Sequence, residues 1–162
     1  MTERYLIIAE EGERSLIEQH LPGCDWPVIV TGVGALNVIR ALQNIPREAT
    51  LVNIGYAGSS NFAIGTLVEV TEVRLNHPNV TYPEPTLTLQ ELPNDLHTDI
   101  EPIRAVCYSN TDFVLQSDYT DCAFDMELAY IAALGFKHLT ALKHVSDNLS
   151  LHAYHKLTNG VE

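Results

Sequence analysis

Short, predominantly apolar runs recur along the chain. The first, Tyr5–Ala9, is followed by similar runs at Pro27–Thr31 and Thr50–Ile54. Runs of this length are typical of strands that are buried on both faces of a sheet. Leu67–Val73 instead alternates apolar and polar residues, which predicts a longer strand with one wetter face. Two further strand-like runs are Ile103–Tyr108 and Leu139–Val145.

Between these runs, apolar residues are spaced as on one face of a helix. Gly12–His20 places Leu16 and Ile17 on the same side of a short amphipathic helix, which Pro22 and Gly23 end. The segment Asn76–Pro102 contains five prolines and is therefore predicted to be mostly loop or irregular edge structure. Further helices are predicted at Ala35–Gln43, Met126–Leu134 and Leu149–Leu157.

This alternation of strands and helices predicts an α/β fold. We expect a three-layer domain in which a central mixed, mainly parallel sheet is flanked by helices. The sequence shows no internal repeat and no linker, so residues 1–162 are predicted to form a single domain. A chain of 162 residues is long enough to bury a sizeable core without metal or disulfide staples.

Charge and cysteine content narrow the function classes. Nine Lys and Arg residues oppose 21 Asp and Glu residues, and the net charge of −12 argues against binding duplex nucleic acid or an anionic membrane through bulk electrostatics. The odd number of cysteines (Cys24, Cys107 and Cys122), without a C-x-x-C spacing, favours reduced thiols. Because no signal-peptide core or membrane-length apolar window is present, we expect a cytoplasmic protein.

Polar and glycine-rich segments follow the predicted strands, at the edge where such sheets bind ligands. In Glu10–Glu13, the acidic residues either favour a helix N-terminus or provide a general base for water. Thr31–Gly34 and Asn53–Gly58 either are simple turns or bring backbone N–H groups close to a ligand. Neither has the spacing of a dinucleotide-binding loop or the Lys-Ser/Thr of a P-loop, so no nucleotide cofactor is predicted.

Two later strand ends carry further carboxylates. Phe124–Ala129 is either a helix start with acidic residues or a segment that aims Glu127 into a pocket, where a carboxylate can accept bonds from adjacent ribose hydroxyls. In Lys143–Asn148, Ser146 or Asp147 can cap the closing helix. Alternatively, Asp147 is a general acid whose pKa is raised by partial burial.

Metal and serine-hydrolase chemistry are not favoured by the remaining residues. His152 and His155 are three positions apart on a predicted helix, but no acidic third ligand is near, so solvent-facing histidines are expected. No G-x-S-x-G motif is present. We therefore predict neither a metal nor an organic cofactor.

Taken together and in order, these motifs resemble the nucleoside phosphorylase and nucleosidase superfamily. The resemblance covers most of the chain, from Leu6 to about Leu157. It is closest to the methylthioadenosine/S-adenosylhomocysteine nucleosidases and the futalosine hydrolases, in a shortened form. The motifs that carry it are Ile7–Glu13, Thr31–Gly34, Asn53–Gly58, Ser109–Val114, Asp125–Glu127 and Val145–Asp147.

The resemblance implies a role for each matching residue. Glu13 would activate the attacking water, and Asp147 would act as the acid toward the purine N7. Glu127 would hold the ribose hydroxyls, Met126 would line the ribose, and Phe113 would stack under the purine. The other substrate-binding positions that it implies are Thr31, Gly32, Ala57, Gly58 and Ser146.

The implied activity is hydrolysis of the N-glycosidic bond of a purine nucleoside, either a 5′-substituted adenosine or a futalosine-like compound. Retention of Glu13 favours water as the nucleophile, and phosphorolysis or a catalytically silent nucleoside-binding protein are the alternatives. Where the family has an arginine before the Asp147 motif, this chain has Lys143, a point charge in place of a planar donor fork. The resemblance also implies a homo-oligomer, with a dimer as the expected form.

Overall fold

The computed structural model describes residues 2–76 and 86–150. Its helices and a short 3-10 turn lie between the strands. The 3-10 turn, Glu11–Glu13, leads directly into α1 (Arg14–His20), and the other helices are α2 (Ala35–Leu42) and α3 (Leu128–Ala133). The strands in these ranges are β1 (Arg4–Ile8), β2 (Val28–Val30), β3 (Thr50–Gly58), β4 (Leu67–Leu75), β5 (Leu87–Thr88), β6 (Ile103–Ser109), β7 (Cys122–Asp125) and β8 (His138–Asp147).

These strands form one mixed sheet in which parallel pairs predominate. Its order is β2-β1-β3-β7-β6-β4-β5, and β8 pairs with both β3 and β4. β1 runs parallel to β2 and β3, β8 runs parallel to β3, and β6 runs parallel to β4 and β7. The antiparallel pairs join β4 to β5 and β8, and β3 to β7. The predicted central mixed, mainly parallel sheet is confirmed.

Helices cover both faces of this sheet. Successive residues of a buried strand point to opposite sides, so neighbouring residues of one strand pack against different helices. Ile7 of β1 belongs to a buried cluster that includes residues of α2 and α3. Its neighbours Leu6 and Ile8 belong to a second cluster, with Leu16 and Ile17 of α1. The fully apolar strand runs are therefore explained by burial on both faces.

Two strands extend further than the local sequence indicates. β3 continues through the predicted turn Gly55–Gly58, because its backbone pairs with β8 along this whole stretch. β8 continues through Ser146 and Asp147, and the helix that these residues were predicted to cap lies almost wholly outside the described residues. At Gly55–Gly58, pairing with a strand distant in sequence outweighs the turn preference of the residues.

The segment before α3 also differs from the prediction. Cys122–Asp125 forms β7, paired in parallel with β6, and the helix begins only at Leu128 instead of Met126. The predicted irregular segment contains the short strand β5. Most of the predicted helix Leu149–Leu157, together with His77, His152 and His155, lies outside the described residues. None of the helices in the described ranges has the length and apolar character that a membrane crossing requires.

Candidate active site

A cleft of about 220 Å³ opens where the carboxyl ends of β1, β3, β7 and β8 meet. The sheet topology accounts for its place, since these neighbouring strands bring their terminal residues to one edge. The cleft brings together residues that are more than a hundred positions apart in sequence. Of the predicted site residues, those that line it are Glu13, Ala57, Gly58, Phe113, Met126, Glu127 and Asp147.

Glu13 is held in place by backbone donors that follow β1 and by one from β3. Its Oε1 accepts hydrogen bonds from the N–H groups of Ala9 (2.8 Å) and Glu10 (3.2 Å), and its Oε2 accepts one from Tyr56 (2.8 Å). Burial raises the pKa of Glu13, although the charge of Lys143 and these three N–H groups act in the opposite direction. A fixed carboxylate whose pKa is raised towards neutrality suits proton abstraction from water.

Two glycines of β3 make room for the carboxylates. A Cβ added at Gly55 would lie 2.6 Å from Oε2 of Glu13, and one added at Gly58 would lie 2.9 Å from Oδ1 of Asp147. Both distances are well inside van der Waals contact. The glycines of the Asn53–Gly58 motif therefore serve the close approach of side chains and not a turn.

Asp147, the last residue of β8, is almost completely buried at the other side of the cleft. Its Oδ2 accepts a hydrogen bond from the Ser146 hydroxyl (2.7 Å), and its Oδ1 accepts one from the Leu149 N–H (2.9 Å). Burial raises the pKa of Asp147 and outweighs these hydrogen bonds, which favour the charged form. The environment therefore shifts Asp147 towards the protonated form, which is the form that a general acid needs.

Glu127 lies between β7 and α3, and its Oε2 accepts a hydrogen bond of 2.9 Å from the Gly34 N–H. Burial, followed by the negative charge of Asp125, raises the pKa of Glu127. Lys143 and the Gly34 N–H oppose this effect. Glu127 also lines the cleft, whose volume is that of a small ligand.

Lys143 and Asp125 form a buried ion pair beside these groups. Nζ of Lys143 lies 2.9 Å from Oδ2 of Asp125, and the two side chains are 2% and 1% exposed. Burial alone would raise the pKa of Asp125, but Lys143, the Ser109 hydroxyl and the Leu128 N–H outweigh it and lower that pKa. Burial likewise opposes the charge of Lys143, and Asp125 overcomes it, so the pKa of Lys143 is raised.

Three predicted site residues do not line the cleft. The Thr31 hydroxyl donates to main-chain oxygens, at 2.7 Å to Gly32, and the Gly32 N–H donates to Ala9. These bonds place the following turn, which carries the Gly34 N–H. Ser146 acts on the cleft through its bond to Asp147. In the structure, Thr31, Gly32 and Ser146 therefore support residues that line the cleft and do not line it themselves.

Aromatic rings form the remaining wall. Phe113 and Phe124 both line the cleft. Phe124 stacks on Tyr108 at 5.9 Å between ring centroids, and Tyr108 stacks on Tyr119 at 4.7 Å. A flat, apolar wall of this kind suits the face of a planar base.

Sequence reasoning did not assign Val33, Tyr56, Phe124 or Asp125 to the site. For Asp125 a signal was present, because Lys143 lies in an otherwise mostly apolar strand and a buried lysine needs an acidic partner. No comparable signal marks Tyr56, which contributes its backbone N–H. In the described ranges, no group of three or more His, Cys, Asp and Glu side chains is arranged to hold a metal ion.

Comparison with solved structures defines the class of fold. No protein-family model matches the sequence, and no curated protein matches it significantly. By contrast, many solved structures match the chain with high probability. Those named below are nucleosidases, and the chain shares their α/β fold, as the sequence motifs predict.

Within that class, the chain resembles 5′-methylthioadenosine/S-adenosylhomocysteine nucleosidases (MTAN). The enzyme from Colwellia psychrerythraea 34H, in complex with adenine, is 16% identical with a TM-score of 0.71, covering 97% of this chain and 88% of that one. MTAN from Chlamydia trachomatis is 21% identical with a TM-score of 0.72 (98% and 88% covered). The Neisseria meningitidis enzyme, with methylthio-immucillin-A, is 17% identical with a TM-score of 0.72 (98% and 92% covered).

Proposed function

We propose that this protein hydrolyses the N-glycosidic bond of a purine nucleoside. The observation that carries the proposal is the convergence of three buried carboxyl groups, those of Glu13, Glu127 and Asp147, on one cleft with aromatic walls. The MTAN neighbours include enzymes solved with 5′-methylthioadenosine (MTA) and with adenine, which supports a nucleoside as the ligand class. The substrate we propose is a 5′-substituted adenosine or a futalosine-like nucleoside.

The three carboxyl groups match the charges that develop in this reaction. As the bond from C1′ to the base nitrogen breaks, positive charge builds on the sugar and negative charge on the purine. Protonated Asp147 donates its proton to N7 of the leaving base, and Glu13 takes a proton from the attacking water. Glu127 accepts hydrogen bonds from the sugar hydroxyls, and the positive charge that develops on the sugar favours the ionised form of Glu127, which stabilises the cation. The division of labour parallels the acid and base of O-glycoside hydrolysis.

The charges around the cleft favour water over phosphate. Phosphate sites need converging cationic donors. Here the acidic side chains of Glu10, Glu13, Asp125 and Glu127 line the cleft, and the lysine beside it is already paired with Asp125. A dianionic nucleophile would be repelled by this arrangement, whereas water is not.

The decisive experiment measures release of free base by chromatography. MTA, S-adenosylhomocysteine, adenosine, inosine and futalosine are each incubated with the protein, with and without phosphate. We expect release that does not depend on phosphate. Asp147→Asn should lower it by about 10²–10⁴-fold, the usual contribution of a general acid. Asp25→Asn, which changes an exposed aspartate before β2, is the matched control and should keep full activity.

Two other results would replace the proposal. Base release that requires phosphate would make the protein a nucleoside phosphorylase. A folded protein that binds adenine or a nucleoside but releases no base from any of the five compounds would be a binding protein.

We also propose a homodimer in the cytoplasm. Apolar side chains are exposed in a row that begins at Val33 in the cleft and continues along α2 through Leu36 and Ile39. Leu36 is 71% exposed, which is unusual for a leucine on a helix unless a partner covers it. The three cysteines are unpaired, as in a reducing compartment.

A further inference from the structure

Lys143 is the largest side chain that the structure buries completely. It follows Ala141 and Leu142 in β8, and its Nζ contacts Oδ2 of Asp125 at 2.9 Å. Removing two charges from water costs several kcal/mol per ion, which the attraction between them only partly returns. Packing alone does not explain why an ion pair with this desolvation cost lies at the edge of the cleft.

The contacts of Asp125 connect this pair to Glu127. Oδ2 of Asp125 accepts a hydrogen bond of 2.8 Å from the Leu128 N–H, and Oδ1 accepts one from the Ser109 hydroxyl. The Ser109 oxygen in turn accepts the Ala129 N–H at 2.8 Å. These bonds hold the first N–H groups of α3, and Glu127 immediately precedes that helix. The pair therefore anchors the backbone from which Glu127 extends.

The same pair also affects the pKa of Glu127. Asp125 on β7 and Glu13 at the end of the 3-10 turn both raise the pKa of Glu127, whereas Lys143 on β8 lowers it. Glu127 in turn helps to raise the pKa of Tyr130 on α3. The Cys107 thiol on β6 donates a hydrogen bond to Asp125. Lys143 also lowers the pKa of Glu13. Among these groups, Lys143 carries the positive charge that balances the carboxylates.

We propose that Lys143 and Asp125 are positioning residues that orient Glu127 toward the sugar hydroxyls, and that the charge of Lys143 offsets part of the negative charge of the carboxylates in the cleft. The proposal rests on the nucleosidase function proposed above and adds a pair of residues to it. It predicts opposite effects for the loss of each charge. Without Lys143, Glu127 and Glu13 lose a favourable neighbour, and without the Asp125 charge, Glu127 loses an unfavourable one.

The test compares the pH dependence of kcat/KM for base release from MTA. The acidic limb reports ionisation of Glu13 and Glu127, so Lys143→Met should move it to higher pH by about one unit or more, and Asp125→Asn should move it to lower pH. The double variant, which removes both charges of the pair, should fall between them. Lys137→Met is the matched control, because Lys137 forms an exposed pair with Glu48 just before β8.

A binding measurement separates positioning from stability. Binding is measured in an Asp147→Asn background, so that the substrate is not cleaved during the measurement. There, Lys143→Met should weaken MTA binding about tenfold or more, which corresponds to the loss of a hydrogen bond to a charged group. Adenine, which lacks the sugar, should bind as before. Circular dichroism and the Tm establish that each variant is folded, and Asp125→Asn and the double variant carry the test if Lys143→Met unfolds.

Three outcomes have distinct meanings. Opposite shifts with selective loss of MTA binding support the proposal. Equal losses of activity with an unmoved acidic limb, or equal weakening of adenine and MTA, would reduce the pair to a structural role and overturn it. If the unaltered protein releases no base, the nucleosidase function fails, and the comparison of MTA with adenine then decides the positioning role alone.

Discussion

Gly55 and Gly58 illustrate how much of the candidate site depends on small residues. Both lie in the paired strand β3, Gly55 in its interior and Gly58 at its end, and glycine within a strand normally weakens the structure. Their hydrogen atoms face Glu13 and Asp147, and the carboxylate oxygens occupy the space that a Cβ would fill. The glycines of this motif are therefore required by the carboxylates.

Gly55→Ala should reduce activity more than stability. The added methyl group would lie 2.6 Å from Oε2 of Glu13 and must displace that carboxylate from the Tyr56 N–H. A displacement near 1 Å at a reacting group costs about 10²-fold in rate, so kcat/KM for base release should fall by about that factor. The measurement is steady-state kinetics on MTA, together with the Tm.

Gly135→Ala is the control for this substitution. Gly135 follows α3, has a φ of +85° and has open space around its Cβ position. Alanine there should cost about 1–2 kcal/mol of stability through the left-handed backbone, with kcat/KM unchanged. A Gly55→Ala protein with full activity would show that Glu13 does not need its observed position.

Among the elements, β8 carries different chemistry on its two faces. Lys143 faces the Asp125 side, and its neighbour His144 faces α1, as the alternation of a strand requires. Nδ1 of His144 lies 2.8 Å from Nε2 of His20, the last residue of α1, and the edge of the Tyr56 ring packs against His144. Both imidazoles are buried, so this contact joins the helix to the strand that bears Asp147.

Acid should weaken this junction. Burial, and then the neighbouring His20, lowers the pKa of His144 to about 4, and burial lowers that of His20 despite the nearby Asp99. The unfolded chain therefore binds protons that the folded one excludes, and stability is lost as the pH falls from about 6.5 towards 4. Two protonated rings would also face each other with donors only.

The measurement is the Tm as a function of pH. We expect the Tm to fall by several degrees between pH 7 and pH 5. His144→Gln should lower the Tm at pH 7 but flatten this dependence. His138→Gln, at the exposed start of the same strand, should leave the slope as it was. An unchanged slope in His144→Gln would assign the acid sensitivity to other groups.

The molecule as a whole combines a strongly acidic composition with a localised apolar surface. Lys and Arg are outnumbered by Asp and Glu, which gives the chain a net charge of −12. Two copies would therefore repel each other at long range unless a specific contact outweighs the repulsion. The exposed row along α2, beginning at Val33 in the cleft, is the surface that we expect to provide it.

Leu36→Glu tests the proposed dimer. A charge in the middle of an apolar contact is left without a partner, so the dimer should dissociate to monomers at micromolar concentration. Light scattering coupled to size-exclusion chromatography gives the mass directly. Leu115→Glu changes a similarly exposed leucine away from α2 and should leave the mass unaltered. A wild-type protein that is monomeric at all concentrations would refute the dimer.

The local sequence was sufficient for the elements that its hydrophobic pattern defines. β1, β2, β4 and β6 follow apolar or alternating runs, and α1 and α2 follow helical spacing, because burial of these side chains determines both periodicities. The motifs at strand ends likewise indicated the resemblance, and the shared nucleosidase fold confirms it. Glu13, Glu127 and Asp147 could be selected in this way without any coordinates.

Other features depend on contacts between distant segments, which a local pattern does not contain. β3 does not end at its glycines because β8 pairs with it there, and β7 forms because β6 lies beside it. The bond between Gly34 and Glu127 and the ion pair of Asp125 with Lys143 arise only when the sheet has assembled. Burial then shifts the pKa values of the carboxyl groups, because desolvation depends on everything that surrounds them.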